Sequence, residues 1–344
     1  MHRPIRFRPY LRPQVWGGRR LGEELAKPLP GEGTYGESWE LSDHPLHASV
    51  ADTDPYQGRT LRSLIEESPA GILGPGASGS ARFPWLIKFL DAHDRLSIQV
   101  HPDSERVREL CPQEGSKTEA WYVIDRAPSG RIYAGLLPGI NETRLRIALK
   151  AGCLEECLYA FRPKPGDCIF LPAGTVHAVG GGVLMAEIQQ TSDATFRLYD
   201  WNRRDEKGRM RDLHIEEAMA SIHWDQGPVK PRRVPPDAEH CELVRCPFFV
   251  IEHWHVRNDA RLGAVGGPTV IVVLEGHGAW RGEGVYDEIR PGQVWLLPAS
   301  VNEITCRPAD QMRILVCSQA GFSESIRRAQ LQVCREADQY AGGG

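Results

Sequence analysis

The chain has 344 residues, with 41 Lys plus Arg against 45 Asp plus Glu and a formal charge of −4. A balance this close to neutral argues against holding a polyanion through bulk charge, and so against a nucleic-acid role; no run of about 18 apolar residues is present, so no membrane-spanning helix is expected. Gly and Pro number 35 and 26, against roughly 41 for the two together at average usage, so the chain is turn-rich and leans toward short strands. Its length is that of two domains of about 150 residues each.

The N-terminus, Met1 to Tyr10, is basic and broken by prolines, with no apolar stretch after the charges, so no signal peptide is expected. The 9 cysteines are irregularly spaced, which reads as reduced thiols and a cytoplasmic protein. Residues 1–50 read as loops and short strands. Thr60 to Glu67 has helical spacing at Leu61, Leu64 and Ile65, with Thr60 as cap. Strands are predicted over 83–90, 96–101 and 120–124, a short helix after Pro102, and a mixed, initially helical stretch over 145–159. Further strands are predicted at 169–171, 183–189 and 195–199, and a helix at 215–222. Residues 225–238 hold four prolines and no apolar periodicity, and form the best linker. Strand-like runs follow at 248–256, 269–274, 293–297 and 312–317, then a helical pattern over 323–337 and a Gly342-Gly343-Gly344 tail.

An internal echo organises these elements. Pro165 to His177 aligns with Pro291 to Glu303, sharing Pro165/Pro291, Gly166/Gly292, Leu171/Leu297, Pro172/Pro298 and Ala173/Ala299. A turn, a strand and a second turn recur, which predicts two copies of one small β-barrel. His177 is replaced by Glu303 in the second copy.

In Leu96 to His101, alternation puts Leu96, Ile98 and Val100 on one face and Ser97, Gln99 and His101 on the other. A polar inner face suits a barrel that holds a polar site. Glu119 stands at the entrance of the next strand, and His177 follows a tight turn. Two imidazoles, a carboxylate and an amide oxygen make a donor set of the kind zinc accepts; with no thiolate, Mn, Fe, Co and Ni stay open. His253 and His255 have ligand-like spacing but no accompanying carboxylate motif. Trp85, Trp121, Trp201 and Trp254 read as core or pocket wall.

Gly166 to His177 resembles the second motif of the cupin superfamily. Trp16-Gly17-Gly18, Gly36-Glu37-Ser38-Trp39-Glu40, Leu96 to Pro102, Lys117-Thr118-Glu119-Ala120-Trp121-Tyr122, Pro172 to Ala178 and Glu187 to Asp193 resemble the type I mannose-6-phosphate isomerase family in its shorter bacterial form. The likeness runs from about residue 5 to 320. It implies a mainly β fold of two cupin-type jelly-roll barrels with a small helical insertion. Residues 1–230 would form the catalytic barrel, 231–322 a second barrel without metal, and 323–344 a helical extension with a flexible tail.

The resemblance also implies one zinc per chain, held by Gln99, His101, Glu119 and His177. It implies Arg197, ten residues beyond Glu187, as electrostatic stabiliser, with Lys117 and Glu187 as acid/base candidates and Lys88 and Ser97 near the substrate phosphate. The family's frequent Lys-Pro-Glu is Lys117-Thr118-Glu119 here, which keeps both charges. The implied reaction is interconversion of mannose 6-phosphate and fructose 6-phosphate through a cis-enediol, serving activated-mannose synthesis or mannose entry into glycolysis. A sugar isomerase of shifted specificity, a non-catalytic sugar-binding cupin and a cupin dioxygenase are the alternatives; the Gln99 ligand disfavours the last. A small-molecule sugar phosphate is the expected partner, with no nucleic acid or membrane, in a monomer or homodimer.

Overall fold

The computed structural model describes residues 3–204, 207–264 and 266–320; the helix expected over 323–337 lies outside them. The chain is mainly β and divides into two compact units. Of the described residues, one unit, here the site unit, comprises those within 9–47 and 84–233; the other, the second unit, takes 3–8, 48–83 and those within 234–320. The linear boundary falls inside the proline-rich 225–238 segment. The second unit also gathers two early stretches: Ile5–Arg6 pairs with Val294–Leu297 in one ladder, and residues 48–83 attach through the Phe7–Ala51 bridge and the Ala299 N to Ile72 O hydrogen bond, pairings that leave no mark in local composition. The helices Leu61–Glu67 and Pro69–Leu73 belong to this unit, and the Thr60 hydroxyl caps the first by accepting from Ser63 N at 3.0 Å.

The site unit has two main antiparallel sheets. The larger runs, in spatial order, Arg232–Arg233, Asp167–Leu171, Glu119–Arg126, Val183–Gln190, Trp85–Ala92, Tyr35–Leu41 and Tyr10–Gly18; the smaller runs Leu158–Phe161, Ile132–Leu136, His177–Val179, Ile98–Val100 and Phe196–Tyr199. Trp16, Leu90, Trp121, Ile132, Ile169, Val179 and Met185 form a core contributed by both sheets. The helices Arg106–Leu110, Glu142–Ala151 and Ile215–Ser221 bury Val107, Leu145, Ala148, Ala218 and Met219 against Ile98 and Val100. The predicted alternation therefore holds at those two positions: their apolar side chains face the helices and Gln99 faces inward. Leu96 is the exception, since it joins the core fed by both sheets. The region expected to hold loops and short strands carries two long ones, 10–18 and 35–41. Polar residues that line an interior, such as Gln14 and Glu37, hide their apolar alternation.

The second unit repeats the plan, with a six-stranded sheet and a four-stranded sheet over a core that includes Ile271, Trp280, Trp295, Ile304 and Val316. The sequence echo is a structural one. Gly166 N donates to Val123 O and Gly292 N to Val273 O, both at 2.9 Å; Thr175 N donates to Pro172 O and Val301 N to Pro298 O. Lys164 N and Arg290 N each donate to the side chain three residues on, Asp167 and Gln293. Gly166 and Gly292 have φ +88 and +78, the left-handed region that glycine enters without strain. In each unit the strands pair as two sheets, and no ladder among the described residues joins them into a closed barrel. No described helix is long and apolar enough to cross a membrane.

Candidate active site and metal centre

Two rows of side chains build the site. Across the smaller sheet, Arg197 pairs with Gln99 and Gln99 with His177, and residues directly opposite each other share a face. Across the larger sheet, Glu119 pairs with Gln189, and Lys88 pairs with Glu187, which in turn pairs with Trp121.

His101, Glu119 and His177 are buried, and their ligand atoms lie within 4.8 Å of one another. Glu119 reaches both imidazoles, Oε2 to His101 Nε2 and Oε1 to His177 Nε2, at 3.3 Å each. The far ring nitrogens are tied to backbone: His101 Nδ1 donates to Ala194 O at 2.8 Å and His177 Nδ1 to Thr175 O at 2.9 Å. That fixes the tautomer and turns both Nε2 lone pairs toward the carboxylate, the arrangement a metal-binding imidazole needs. Burial pushes both imidazoles below their ordinary pKa, His101 to about 4, with Lys117 adding to the effect, so both are neutral donors at pH 7. Burial alone would raise the Glu119 carboxyl, but Lys117, at 3.2 Å, and then His101 hold it well below the usual range. Neither Glu119 oxygen has a hydrogen-bond donor among the described residues. Two neutral imidazoles and an ionised, undonated carboxylate fit a divalent cation. This is the one group of His, Cys, Asp and Glu with metal-binding spacing among the described residues.

Gln99 completes the ring of donors, its amide end 3.3 Å from His177 Nε2. The Ser97 hydroxyl donates to Gln99 Oε1 at 3.1 Å. Because that hydroxyl donates or accepts equally well, the amide presents either end to the cluster. Ser97 thus orients Gln99 and is itself buried.

The turn between Leu171 and His177 is set by Gly174, with φ +85, whose N–H donates to His101 O at 2.8 Å. A Cβ there would meet His223 Cγ at 2.4 Å. Gly174→Ala is therefore expected to cost about 1–3 kcal/mol in urea unfolding and to lower metal occupancy together with it, because the turn positions His177.

Lys88 is buried with its Nζ 3.1 Å from Glu187 Oε1, 3.8 Å from Glu37 Oε2 and 5.1 Å from the Trp39 ring centre. Burial alone would lower its pKa; Glu187 and then Glu37 more than offset this, so the net shift is upward. Lys88 therefore stays charged through the whole neutral range. For a lysine raised in this way the stabilisation is complete below the unfolded pKa and is lost only as pH rises through the folded one, so it is present in full at pH 7. Lys88→Met would leave the buried Glu187 carboxylate without its cation, while Glu37 keeps Arg12 Nη1 at 3.6 Å. The expected loss is about 3–5 kcal/mol, read by urea unfolding at pH 7; a loss under 1 kcal/mol would show that the pair is not the counter-charge.

Glu187 is held further by Trp121 Nε1, which donates to Oε2 at 3.1 Å. Glu37 accepts from Gln14 Nε2 at 2.6 Å and Trp39 Nε1 at 2.7 Å. Sequence reasoning quoted Glu37 only as part of a motif and did not single out Gln14. Period two puts Glu37 on the face of Trp39, which pairs with Lys88, but with the whole strand buried that face is not marked in composition. Glu114 also went unnoticed. Its Oε2 accepts from Asp193 N at 3.0 Å and Ser192 Oγ at 3.3 Å, bracing the turn whose Ala194 carbonyl holds His101. His253 and His255 join no such cluster, and Trp85 and Trp121 are fully buried walls.

Paired antiparallel sheets, with a buried His/Glu/His cluster facing inward in one unit, define a mainly β, cupin-like protein with a metal-type centre. The family model "Phosphomannose isomerase type I, catalytic domain" matches residues 5–120. Mannose-6-phosphate isomerase from Streptococcus mutans is 36% identical, covering 81% of this chain and 87% of that protein. Mannose-6-phosphate isomerase ManA from Bacillus subtilis is 35% identical over 87% and 94%. The crystal structure of the Bacillus subtilis mannose 6-phosphate isomerase superposes with a TM-score of 0.82 at 30% identity, covering 91% of this chain and 99% of that one. The chain belongs to the type I phosphomannose isomerase family.

Proposed function

We infer that the chain is a metal-dependent aldose–ketose isomerase interconverting mannose 6-phosphate and fructose 6-phosphate. The observation that carries this reading is the buried, tautomer-fixed His101/Glu119/His177 cluster, flanked by Lys117, Lys88 and Glu187, in a chain of this family. One zinc per chain, held by these three residues and Gln99, is the metal proposed, because zinc takes imidazole nitrogen and carboxylate oxygen and leaves room for substrate. Bound there, the cation would polarise the sugar carbonyl.

The chain's own residues supply the proton movements. In the aldose-to-ketose direction a base removes the C2 proton and the carbonyl oxygen gains one, giving the cis-enediol; protonation at C1 and loss of the O2 proton complete the ketose. Glu187 and Lys117 are the acid/base candidates: Glu187 is clamped between Lys88 and Trp121, and Lys117 lies at the metal ligands. Lys88, charged at neutral pH, is no base. Arg197 is proposed as the cation facing the negative charge that develops on the enediol oxygens.

Lys88 and Ser97 are the proposed phosphate contacts. A phosphate at Lys88 must compete with Glu187 and Glu37, so a rise in KM for phosphorylated substrate in Lys88→Ala is the required sign. A cytoplasmic enzyme accords with 8 described cysteines that are all free thiols; its proposed state is a monomer or homodimer. The test is a coupled assay of mannose 6-phosphate conversion on the protein as purified, after chelation, and after zinc return. Turnover should vanish on chelation and come back with zinc; a metal-replete protein without turnover overturns the function.

A further inference from the structure

Gln189 is fully buried and belongs neither to the metal-type cluster nor to the acid/base groups. Its Nε2 donates to Gln190 O at 2.9 Å and to Ser192 O at 2.7 Å. Two carbonyl acceptors settle which end of the amide is nitrogen, so the orientation is not interchangeable as it is at Gln99. The planar amide then sends Oε1 away from that turn. Among the described residues no donor reaches Oε1, although a buried acceptor left without a donor costs free energy comparable to a lost hydrogen bond.

The strand register says where this acceptor stands. Gln189 lies directly opposite Glu119 on one side and Leu86 on the other, so its side chain shares the face of the metal cluster. Leu86 offers no donor. Glu119 offers only oxygens, and neither makes a hydrogen bond to Gln189. The corresponding register position of the second unit, beside the strand pairing of Thr269 with Ser318, carries a short hydroxyl in place of the amide. The orphan acceptor is thus particular to the unit with the cluster.

We propose that Gln189 is a substrate-binding residue whose Oε1 accepts a hydrogen bond from a hydroxyl of the open-chain sugar bound beside Glu119. The proposal rests on the isomerase reading and adds a specificity contact to it. An acceptor held rigidly by its own amide nitrogen selects a hydroxyl at one carbon and one configuration, because a site built to pair a hydroxyl discriminates against analogues that lack it.

The test is a cycle between residue and hydroxyl on the zinc-loaded full chain. Calorimetry compares mannitol 1-phosphate, an acyclic polyol phosphate that cannot isomerise, with its monodeoxy derivatives, for the wild type and Gln189→Leu. The wild type should bind one deoxy derivative roughly tenfold more weakly than the parent. Gln189→Leu should bind the parent weakly and no longer distinguish that derivative from it, with metal content unchanged. If the variant binds the parent as the wild type does, or weakens all derivatives by one common factor as a loosened 190–192 turn would, the proposal is overturned. Gln189→Met, closer in shape, replaces the Leu variant if that one does not fold. Absence of mannose 6-phosphate turnover by the wild type would instead overturn the function itself, and the two failures are distinct.

Discussion

His177→Ala is expected to give a folded protein that retains no metal after dialysis and turns over mannose 6-phosphate at least about a thousandfold more slowly. Without the imidazole, Glu119 loses one of its two neutral partners, and Gln99 loses the group its amide faces at 3.3 Å. The remaining donors are one imidazole, one carboxylate and an amide, a weak set for a divalent ion. Loss of carbonyl polarisation worth about 4 kcal/mol corresponds to a factor of roughly a thousand. The fold should persist, because Lys117 remains at 3.2 Å to balance Glu119, and the shortened side chain gives up one backbone hydrogen bond, to Thr175 O, and its ring contacts with Trp121 and His101. Metal content by atomic emission and the kcat of the variant are the two readings. His253→Ala is the control: it removes a histidine of the second unit, and metal content should stay at the wild-type level. A His177→Ala protein with full metal stoichiometry would remove this residue from the ligand set.

The candidate ligands were legible in the sequence for specific reasons. Gln99 and His101 announced themselves because their strand has an outer face covered by helices and an inner face that is polar, so period-two alternation survived. His177 was legible because its turn is repeated at Glu303. Glu37 was obscured because every residue of its strand, Tyr35–Leu41, is buried, so burial imposes no alternation on composition. Lys88 was half legible. A lysine inside an apolar run needs an anion, and that much follows from the cost of an unpaired buried charge. Which anion depends on long-range strand pairing, and the fold brings Glu187 and Trp39, with neighbouring Glu37, onto it. For the same reason the attachment of residues 48–83 to the later half of the chain was invisible, since it rests on contacts between segments far apart in sequence.

The second unit shows what the site costs in composition. The strand pairing that sets Glu119 opposite Leu171 recurs as Thr269 opposite Leu297. Where Trp121 and Glu187 pair, Ile271 and Val316 do. Glu303, at the place of His177, is exposed and near Arg261. The interior is then filled by Ile271, Trp280, Trp295, Ile304 and Val316, whose only side-chain polar groups are the two indole N–H groups. The same plan therefore supports either an apolar core or an inward-facing polar cluster, and only the first unit's strands carry the lysine and carboxylates that balance one another.

Arg197→Ala should keep its metal and lose about 10²–10³ in kcat, the range seen when one preorganised donor to a developing oxyanion is removed. The residue follows Phe196 on the strand that pairs directly with Gln99, so its guanidinium belongs to the row that ends at His177. No described carboxylate lies within ion-pair distance of it. The nearby Asp200 is already taken by Arg211, at 2.5 and 2.8 Å. Arg197 Nε is buried without an acceptor, and burial, then the charge of Arg211, pushes its pKa below the ordinary arginine value. A half-buried cation held without a counter-ion is poised for an anion that arrives with the substrate. The fold gains little from it, so Arg197→Ala should unfold in urea at or slightly above the wild-type midpoint, which separates this variant from Lys88→Met. The kinetic pattern identifies the anion. A fall in kcat with KM nearly unchanged places Arg197 at the enediol oxygens, where charge exists only in the transition state. A rise in KM alone would move it to the phosphate, and full activity would remove it from the site chemistry altogether.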